Sequence, residues 1–371
     1  ENQILKLKRS LYGLRCSGKC WNNVMNDFLI NLNFKASKAD PCLYIRQESD
    51  SSFTYLLIYV DDLKIVAKSK VTILEISHHL EKRFKTSDVS DLRKFVGFNI
   101  TRSEDGITLS QSEFIDKLLV KFNMANCNGV TTPAEPNFLR SINEDQTELV
   151  NKPYRELVGG LLYLSNLTRC DIAYVVNYLS RYVNEPNVAC WKAAKHVLRY
   201  LKRTKNYGLH YRKDVSSDVL LGYADADFGS DVKDRKSFSG NLFEVFGNLV
   251  EWSVRKQNSV ALSTAEAEYI SLSIASCEGL WLRSLLTEMG LQCDKFTILE
   301  DNQSTIYLTR GIMNNRRSRH IDIRYHHVKD LIEKNVVDVD FIESRRQKSD
   351  ILTKCLNGQR LSELCKSLNL F

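Results

Sequence analysis

The stretch from Ser216 to the C-terminus orders its strands and helices in a way that few folds accommodate. Apolar, β-rich runs at Val219–Ala226, Asn241–Val245, Leu249–Trp252 and Ser259–Leu262 follow one another closely. A long helical pattern then covers Thr264–Met289. Strands at Phe296–Glu300 and Val337–Ile342 alternate with helices near Gln303–Thr309 and Ile323–Lys334, and a short helix begins near Asp350. Three antiparallel strands, a helix, and strands alternating with helices predict an α/β domain built on a mixed sheet.

The first third also reads as mixed α/β. Trp21, Val24, Met25, Phe28, Leu29 and Leu32 stand at helical spacing within Gly18–Leu32. Phe53–Val60 and Leu63–Ala67 read as strands joined by a tight acidic turn, with a helix over Val71–Phe84. A further hairpin, Phe95–Arg102 with Ile107–Ser110, turns at Asp105-Gly106. The middle is helical, over Ser112–Phe122, Tyr154–Thr168, Ile172–Val183 and Ala189–Lys202, and Pro133, Pro136 and Pro153 mark a linker between the first two. A chain of 371 residues calls for two or three domains.

Hydrophobic content of 43% and charged content of 26% belong to a globular chain, not a disordered one. No apolar run is long enough for a transmembrane helix, so no membrane partner is expected. The start, Glu1-Asn2-Gln3-Ile4, has neither an initiator Met nor a signal peptide and reads as a cut inside a longer polypeptide. A net charge of +7 favours a polyanionic partner, though only mildly. The 10 cysteines are scattered without a C-x2-C pair, which suits a reduced, intracellular chain, in the cytoplasm first and the nucleus as an alternative. There is no G-x-G-x-x-G after a strand and no G-x-S-x-G elbow, so dehydrogenase and serine-hydrolase readings find no support.

Metal-assisted phosphoryl chemistry needs several carboxylates converging on divalent ions, and two places could supply them. One is Tyr59-Val60-Asp61-Asp62 at the hairpin tip, where a pair of aspartates is otherwise an ordinary turn. The other is spread over the C-terminal domain. Asp225 and Asp227 share one face of a strand, and Ser263-Thr264-Ala265-Glu266 forms a capping box that accounts for Glu266 structurally. Glu268 lies about 200° round the helix from Glu266 and has no capping role. Asp301 and Asp350 each read as a ligand or as a helix cap.

The chain resembles the C-terminal part of the Pol polyprotein of copia-type LTR retrotransposons, from end to end. The resemblance rests on Lys8-Arg9-Ser10-Leu11-Tyr12-Gly13-Leu14, Tyr59-Val60-Asp61-Asp62, Leu109-Ser110-Gln111 and Leu198-Arg199-Tyr200-Leu201-Lys202. It continues through Asp234-Arg235-Lys236-Ser237, Glu266-Ala267-Glu268-Tyr269, Glu300-Asp301-Asn302-Gln303 and His320-Ile321-Asp322-Ile323. It implies a partial reverse-transcriptase palm over residues 1–111, a helical thumb and connection over 112–215, and a ribonuclease H-like mixed sheet with flanking helices over 216–371. Phe95-Val96-Gly97-Phe98 is similar to the palm's primer-grip hairpin. The family's Asp-Glu-Asp-Asp set falls on Asp225, Glu268, Asp301 and Asp350, and the resemblance selects Asp225 over Asp227. Asp61 and Asp62 would be palm ligands. Magnesium is the implied cofactor, with manganese as a substitute.

The implied activity is two-metal cleavage of RNA in RNA–DNA hybrids. RNA-directed DNA polymerase activity is expected only with the upstream palm, because the palm's first catalytic aspartate belongs to a strand preceding residue 1. The implied partners are RNA–DNA hybrid, primer-template nucleic acid and the upstream part of the Pol polyprotein, in a virus-like particle for an active element. The basic clusters Arg199, Lys202, Arg203 and Lys205 (with Tyr200 and Tyr207 interleaved) and Arg316, Arg317 and Arg319 are candidate backbone contacts. A solvated helix face is the plainer account of the first.

Besides the missing palm aspartate, two departures from the family matter. Gly13-Leu14-Arg15-Cys16-Ser17-Gly18 replaces Gly-Leu-Lys-Gln-Ala-Pro, and Cys355 replaces a proline after Thr353-Lys354. The loop Glu343–Ser349 lacks the histidine that many ribonucleases H carry, and His320, His326 and His327 read as packing or surface residues. A rival reading is a decayed transposon relic that binds nucleic acid without catalysis.

Overall fold

In the computed structural model, the described residues are 7–8, 10–11, 13–86, 93–148, 151–213, 216–311 and 322–371, with backbone only at Asp322, Ile323 and Tyr325. They divide into two compact units, Glu1–Leu92 with Ser284–Gln292, and Arg93–Arg283 with Cys293–Phe371. No helix among them is long and apolar enough to cross a membrane.

In the first unit, α1 (Ser17–Asn31) leads to a four-stranded antiparallel sheet of β1 (Lys35–Ala36), β2 (Leu43–Gln47), β3 (Phe53–Tyr59) and β4 (Asp62–Val66), followed by α2 (Lys70–Arg83). Thr54, Leu56 and Ile58 alternate inward along β3, and Leu56 and Ile58 meet Met25, Leu29, Tyr44, Ile76 and Leu80 in one core. The strands β1 and β2 were not expected from the sequence. Tyr59 pairs with Asp62, which leaves Val60 and Asp61 as a two-residue turn, and Val60 takes a left-handed φ of 55°. That conformation is costly for a β-branched residue.

The second unit begins with β5 (Lys94–Phe95), β6 (Phe98–Arg102) and β7 (Gly106–Ser110). The expected single strand Phe95–Arg102 is broken by a turn at Val96-Gly97, where both φ angles are positive. Helices α3 (Ser112–Lys121), α4 (Phe138–Glu144), α5 (Tyr154–Leu167), α6 (Ala173–Ser180) and α7 (Val188–Arg203) follow, and β8 (Gly208–Arg212) then pairs antiparallel with β7. The expected domain boundaries after residues 111 and 215 both fall inside this unit. One continuous core runs from Ile115, Leu161 and Leu198 on the helices to Tyr223, Phe238, Leu242 and Ile351 around the C-terminal sheet.

That sheet contains β9 (Leu220–Ala226), β10 (Phe238–Val245), β11 (Asn248–Lys256), β12 (Phe296–Glu300) and β13 (Val337–Phe341) in the order β11-β10-β9-β12-β13. The first three pair antiparallel, and β12 runs parallel to both β9 and β13. Helix α8 (Thr264–Glu288) separates the two halves of the sequence, with α9 (Gln303–Thr309) and α10 (Asp322–Glu333) between β12 and β13. Helices α11 (Asp350–Thr353) and α12 (Gly358–Ser367) complete the chain. This is the α/β architecture on a mixed sheet that the sequence led us to expect.

Ser259–Leu262 is not a strand. Its backbone serves the start of α8 instead, since the Leu262 N–H donates to Glu266 Oε2 at 2.7 Å. Val260 and Leu262 consequently stay exposed.

An ion pair with no access to water anchors the helical part of this unit. Arg169 donates to both oxygens of Asp171 at 2.9 and 2.7 Å, to the Thr204 carbonyl at 3.1 Å and to the Thr204 hydroxyl at 2.6 Å. The Tyr200 hydroxyl donates to Asp171 at 2.7 Å. Removing one partner of such a pair strands the other charge in the interior, at a cost of about 3–5 kcal/mol. Arg169→Met is therefore expected to lower unfolding stability by about that amount, and Arg169→Met/Asp171→Leu should recover part of the loss. Urea denaturation followed by tryptophan fluorescence checks both.

Candidate metal centre

Asp225 is the sixth residue of the central strand β9 and is fully buried. Its register partner on β10 is Gly240. A Cβ at Gly240 would stand 2.7 Å from both the Leu352 Cβ and the Thr353 Cγ2, so the missing side chain lets α11 lie against the strand beside Asp225. Glu268 projects from the first turns of α8 and Asp301 follows the end of β12. One carboxylate oxygen from each of Asp225, Glu268 and Asp301 lies within 4.8 Å of the other two. Among the described residues this is the one group of three or more potential ligands that converges so closely.

The fourth expected acid reaches this group through a lysine. Lys354 Nζ lies 3.1 Å from Asp225 Oδ1 and 2.5 Å from Asp350 Oδ1. Arg360 from α12 donates to Asp350 Oδ2 at 3.1 Å and also to the carbonyls of Ser344 and Gln347. Thr353 donates its hydroxyl to the other Asp225 oxygen.

The electrostatics divide the site. Burial, reinforced by Glu300, Asp225 and Asp301, holds the Glu268 carboxyl well above the usual range. Burial likewise raises Asp225, against the opposing pull of Lys354 and Thr353. Glu300 is fully buried and also raised well above its ordinary value, by burial first. Glu268 Oε2 and Glu300 Oε2 are buried without a hydrogen-bond partner among the described residues. Converging, underprotected carboxylate oxygens of this kind suit a hard divalent cation.

The neighbouring acids have structural roles. Asp227 accepts from the Phe238 N–H at 2.7 Å and from the Ser230 hydroxyl, and burial pushes it up to about 6. Glu266 closes the start of α8, with its own N–H donating to Ser263 Oγ at 3.2 Å. Asp301 is not the cap of α9, because Asn302 Oδ1 accepts the Thr305 N–H at 3.2 Å. Asp350 occupies the first position of α11, after Ser349.

The other predicted residues belong to other elements. Asp61 and Asp62 are exposed at the β3–β4 turn of the first unit, and the Trp21 indole N–H donates to the Val60 carbonyl at 2.8 Å. On α7, Arg199 donates to the Asn128 carbonyl at 2.9 Å, Lys202 is half-buried and Arg203 is exposed. Beyond the helix end, Lys205 pairs with Asp116 at 3.0 Å. Tyr200 and Tyr207 do not alternate with this basic face. Both rings flank the buried Arg169 guanidinium, at 5.5 and 5.6 Å. Arg316, Arg317, Arg319 and His320 lie outside the described residues.

Residues 1–136 match the family model described as reverse transcriptase (RNA-dependent DNA polymerase). The chain is 34% identical to the retrovirus-related Pol polyprotein from transposon TNT 1-94 of Nicotiana tabacum, over 99% of this chain and 28% of that protein. It is 33% identical to the Pol polyprotein from transposon RE1 of Arabidopsis thaliana, over 96% of this chain and 24% of that protein. A transposon Ty5-1 protein of Saccharomyces cerevisiae is 32% identical, over 73% of this chain and 88% of its own length. The chain belongs to the copia-type retrotransposon Pol family. It spans about a quarter of the length of the two plant Pol polyproteins.

Sequence reasoning about this Pol fragment missed Lys354, Arg360, Thr353 and Glu300. Only Lys354 left a legible trace, the i,i+4 spacing from Asp350 on a helix. Arg360 and Glu300 are placed by tertiary packing, which no local pattern announces.

The raised Glu268 carboxyl has a consequence for stability. A group whose folded pKa exceeds its unfolded value contributes stability below the unfolded value and loses it as pH rises through the folded one. At mildly alkaline pH without metal, Glu268→Gln is therefore expected to melt at a higher temperature than the wild type, and the gap should narrow in acid. Millimolar Mg2+ should raise the wild-type melting temperature and leave the variant nearly unmoved. Differential scanning fluorimetry across pH, with and without Mg2+, checks this.

Proposed function

We propose that this fragment carries a divalent-metal-dependent ribonuclease H that cuts the RNA strand of RNA–DNA hybrids. The observation that carries the reading is the convergence of one carboxylate oxygen each from Asp225, Glu268 and Asp301, together with a buried Glu268 Oε2 that finds no hydrogen-bond partner among the described residues. Asp350 would complete the ligand set, and Mg2+ is the ion of choice, with Mn2+ as a substitute. Bound there, the ions would supply an activated water and a counter-charge for the leaving oxygen.

The chain's own residues supply the positioning. Thr353 fixes one Asp225 oxygen, the β9–β10 register fixes the strand beneath it, and the capping box at Glu266 fixes the start of the helix that presents Glu268. In this reading, residues 1–111 are the later part of a polymerase palm, 112–215 thumb and connection, and 216–371 the nuclease. Asp61 and Asp62 would serve polymerisation once a further carboxylate joins them, because none among the described residues completes a three-ligand group there. Primer-template, the hybrid duplex and the remainder of the Pol polyprotein are the partners, in an intracellular setting. Exposed Arg203 and half-buried Lys202 are the best-placed members of the α7 cluster for phosphate contact, since Arg199 and Lys205 already have protein partners.

The test is a cleavage assay on a labelled hybrid. Asp301→Asn removes a ligand charge without touching the α9 cap, so folding should be preserved. Mg2+-dependent cleavage should fall by a factor on the order of 100 or more, a loss of the size seen when a preorganised charge is deleted from a site, while hybrid binding persists. Glu266→Gln, which the capping box accepts, should cleave nearly as well as the wild type. Equal cleavage by Asp301→Asn and wild type would refute the site, and a wild type inert with both ions would favour the relic.

A further inference from the structure

The two halves of the acidic centre are neutralised unequally. Around Glu268 and Asp301 the charges that act on Glu268 are mainly like charges, and its Oε2 has no donor among the described residues. Glu300 adds another fully buried carboxylate to that side. The Asp225–Asp350 half carries two cations of the protein's own. Lys354 touches both carboxylates, and Arg360 grips the second Asp350 oxygen. The two are held differently. Arg360 is tied to three carbonyls of the preceding loop as well as to Asp350. Among the described residues, Lys354 Nζ makes no hydrogen bond other than those to the two carboxylates, and its side chain is 43% exposed on a flexible stem.

We propose that Lys354 is a tethered cation which holds the Asp225–Asp350 pair in the absence of metal and must be expelled for a divalent ion to bind there. The proposal rests on the metal-centre reading above and deepens it, by assigning the difference between two ion sites to one side chain. An ammonium lying 3.1 and 2.5 Å from the two carboxylates occupies the space a shared cation would need. Displacing it costs an ion held between Asp225 and Asp350 two charge-assisted contacts, whereas no hydrogen bond from Lys354 to Glu268 or Asp301 is found among the described residues. The first ion should therefore enter beside Glu268 and Asp301, and the second should bind more weakly. The exposed stem gives the ammonium a route to solvent, where it is available to a phosphate oxygen of bound nucleic acid.

The experiment is a Mn2+ titration of the full chain, without nucleic acid, read by the loss of free-ion electron paramagnetic resonance signal. Wild type should show one tighter and one weaker ion. Lys354→Met keeps the stem and removes the charge, and it should tighten the weaker ion about tenfold, equivalent to about 1.4 kcal/mol, while the tighter ion changes less than twofold. Lys354→Arg should retain two unequal ions. A second measurement uses only the wild-type chain, following reductive methylation of Lys354 by mass spectrometry with and without Mg2+. Metal should increase its reactivity, because the ammonium is released. Unchanged ion affinities in a folded Lys354→Met, or Lys354 reactivity that metal leaves constant or lowers, would overturn the proposal while leaving the metal centre in place. Absence of any Mn2+ binding to wild type would overturn both.

Discussion

A guanidinium sealed from water sets the terms for the larger unit. Arg169 makes four hydrogen bonds, to Asp171 and Thr204, and its guanidinium carbon stands 5.5 and 5.6 Å from the ring centroids of Tyr200 and Tyr207. Those contacts tie the end of α5, the 3-10 turn over Cys170–Ile172 and the C-cap of α7 into one junction. The neighbouring Thr168 adds a bond to Gln111 at 2.7 Å, just before α3. A buried pair of this kind need not add net stability, since desolvation consumes most of the Coulomb gain. It does penalise every arrangement in which the partners fail to meet, and so it selects one packing of the helices.

That packing matters to the acidic centre because the helices and the C-terminal sheet share a core. Tyr174 and Tyr178 on α6 pack against Phe238, the first residue of β10. Phe238 in turn donates its N–H to Asp227, two residues from Asp225. The carboxylates are thus held on a strand whose neighbour is braced by aromatic contacts from behind. Rigidity is what permits the crowding of like charges, since a looser frame would let Glu268 and Glu300 swing towards solvent and relieve the repulsion.

How much of this the sequence disclosed depended on the range of the interactions. Strand alternation in β3, the capping box before Glu268 and the order of elements from β9 to α11 are local patterns, and the structure follows them closely. The acids at Asp225, Glu268 and Asp301 could be singled out because each stands at a strand end or an early helical turn and because the family motifs surround them. Ser259–Leu262 misled because an apolar run with β-branched residues looks the same whether its N–H groups enter a ladder or cap a helix. Tyr200 misled in a different way. Its place between basic residues in the chain says nothing about the helix face it occupies, and that face is turned to Arg169. The strand β8 was hidden because its pairing with β7 joins residues about a hundred positions apart, as in the Thr108–His210 hydrogen bond.

The contact between Asp225 and Thr353 spans 128 residues of chain. At a synthesis rate of about 5–20 residues per second, roughly 6 to 26 seconds separate the two during translation. Over that interval β9 and β10 can already pair, yet Asp225 has neither its hydroxyl donor nor its ammonium. The Asp350 carboxylate and both of its basic partners are then added within one short segment, Asp350 to Arg360. A growing chain accordingly leaves Asp225 without its hydroxyl and ammonium partners until the segment from Asp350 to Arg360 has been made, long after β9 and β10 have met.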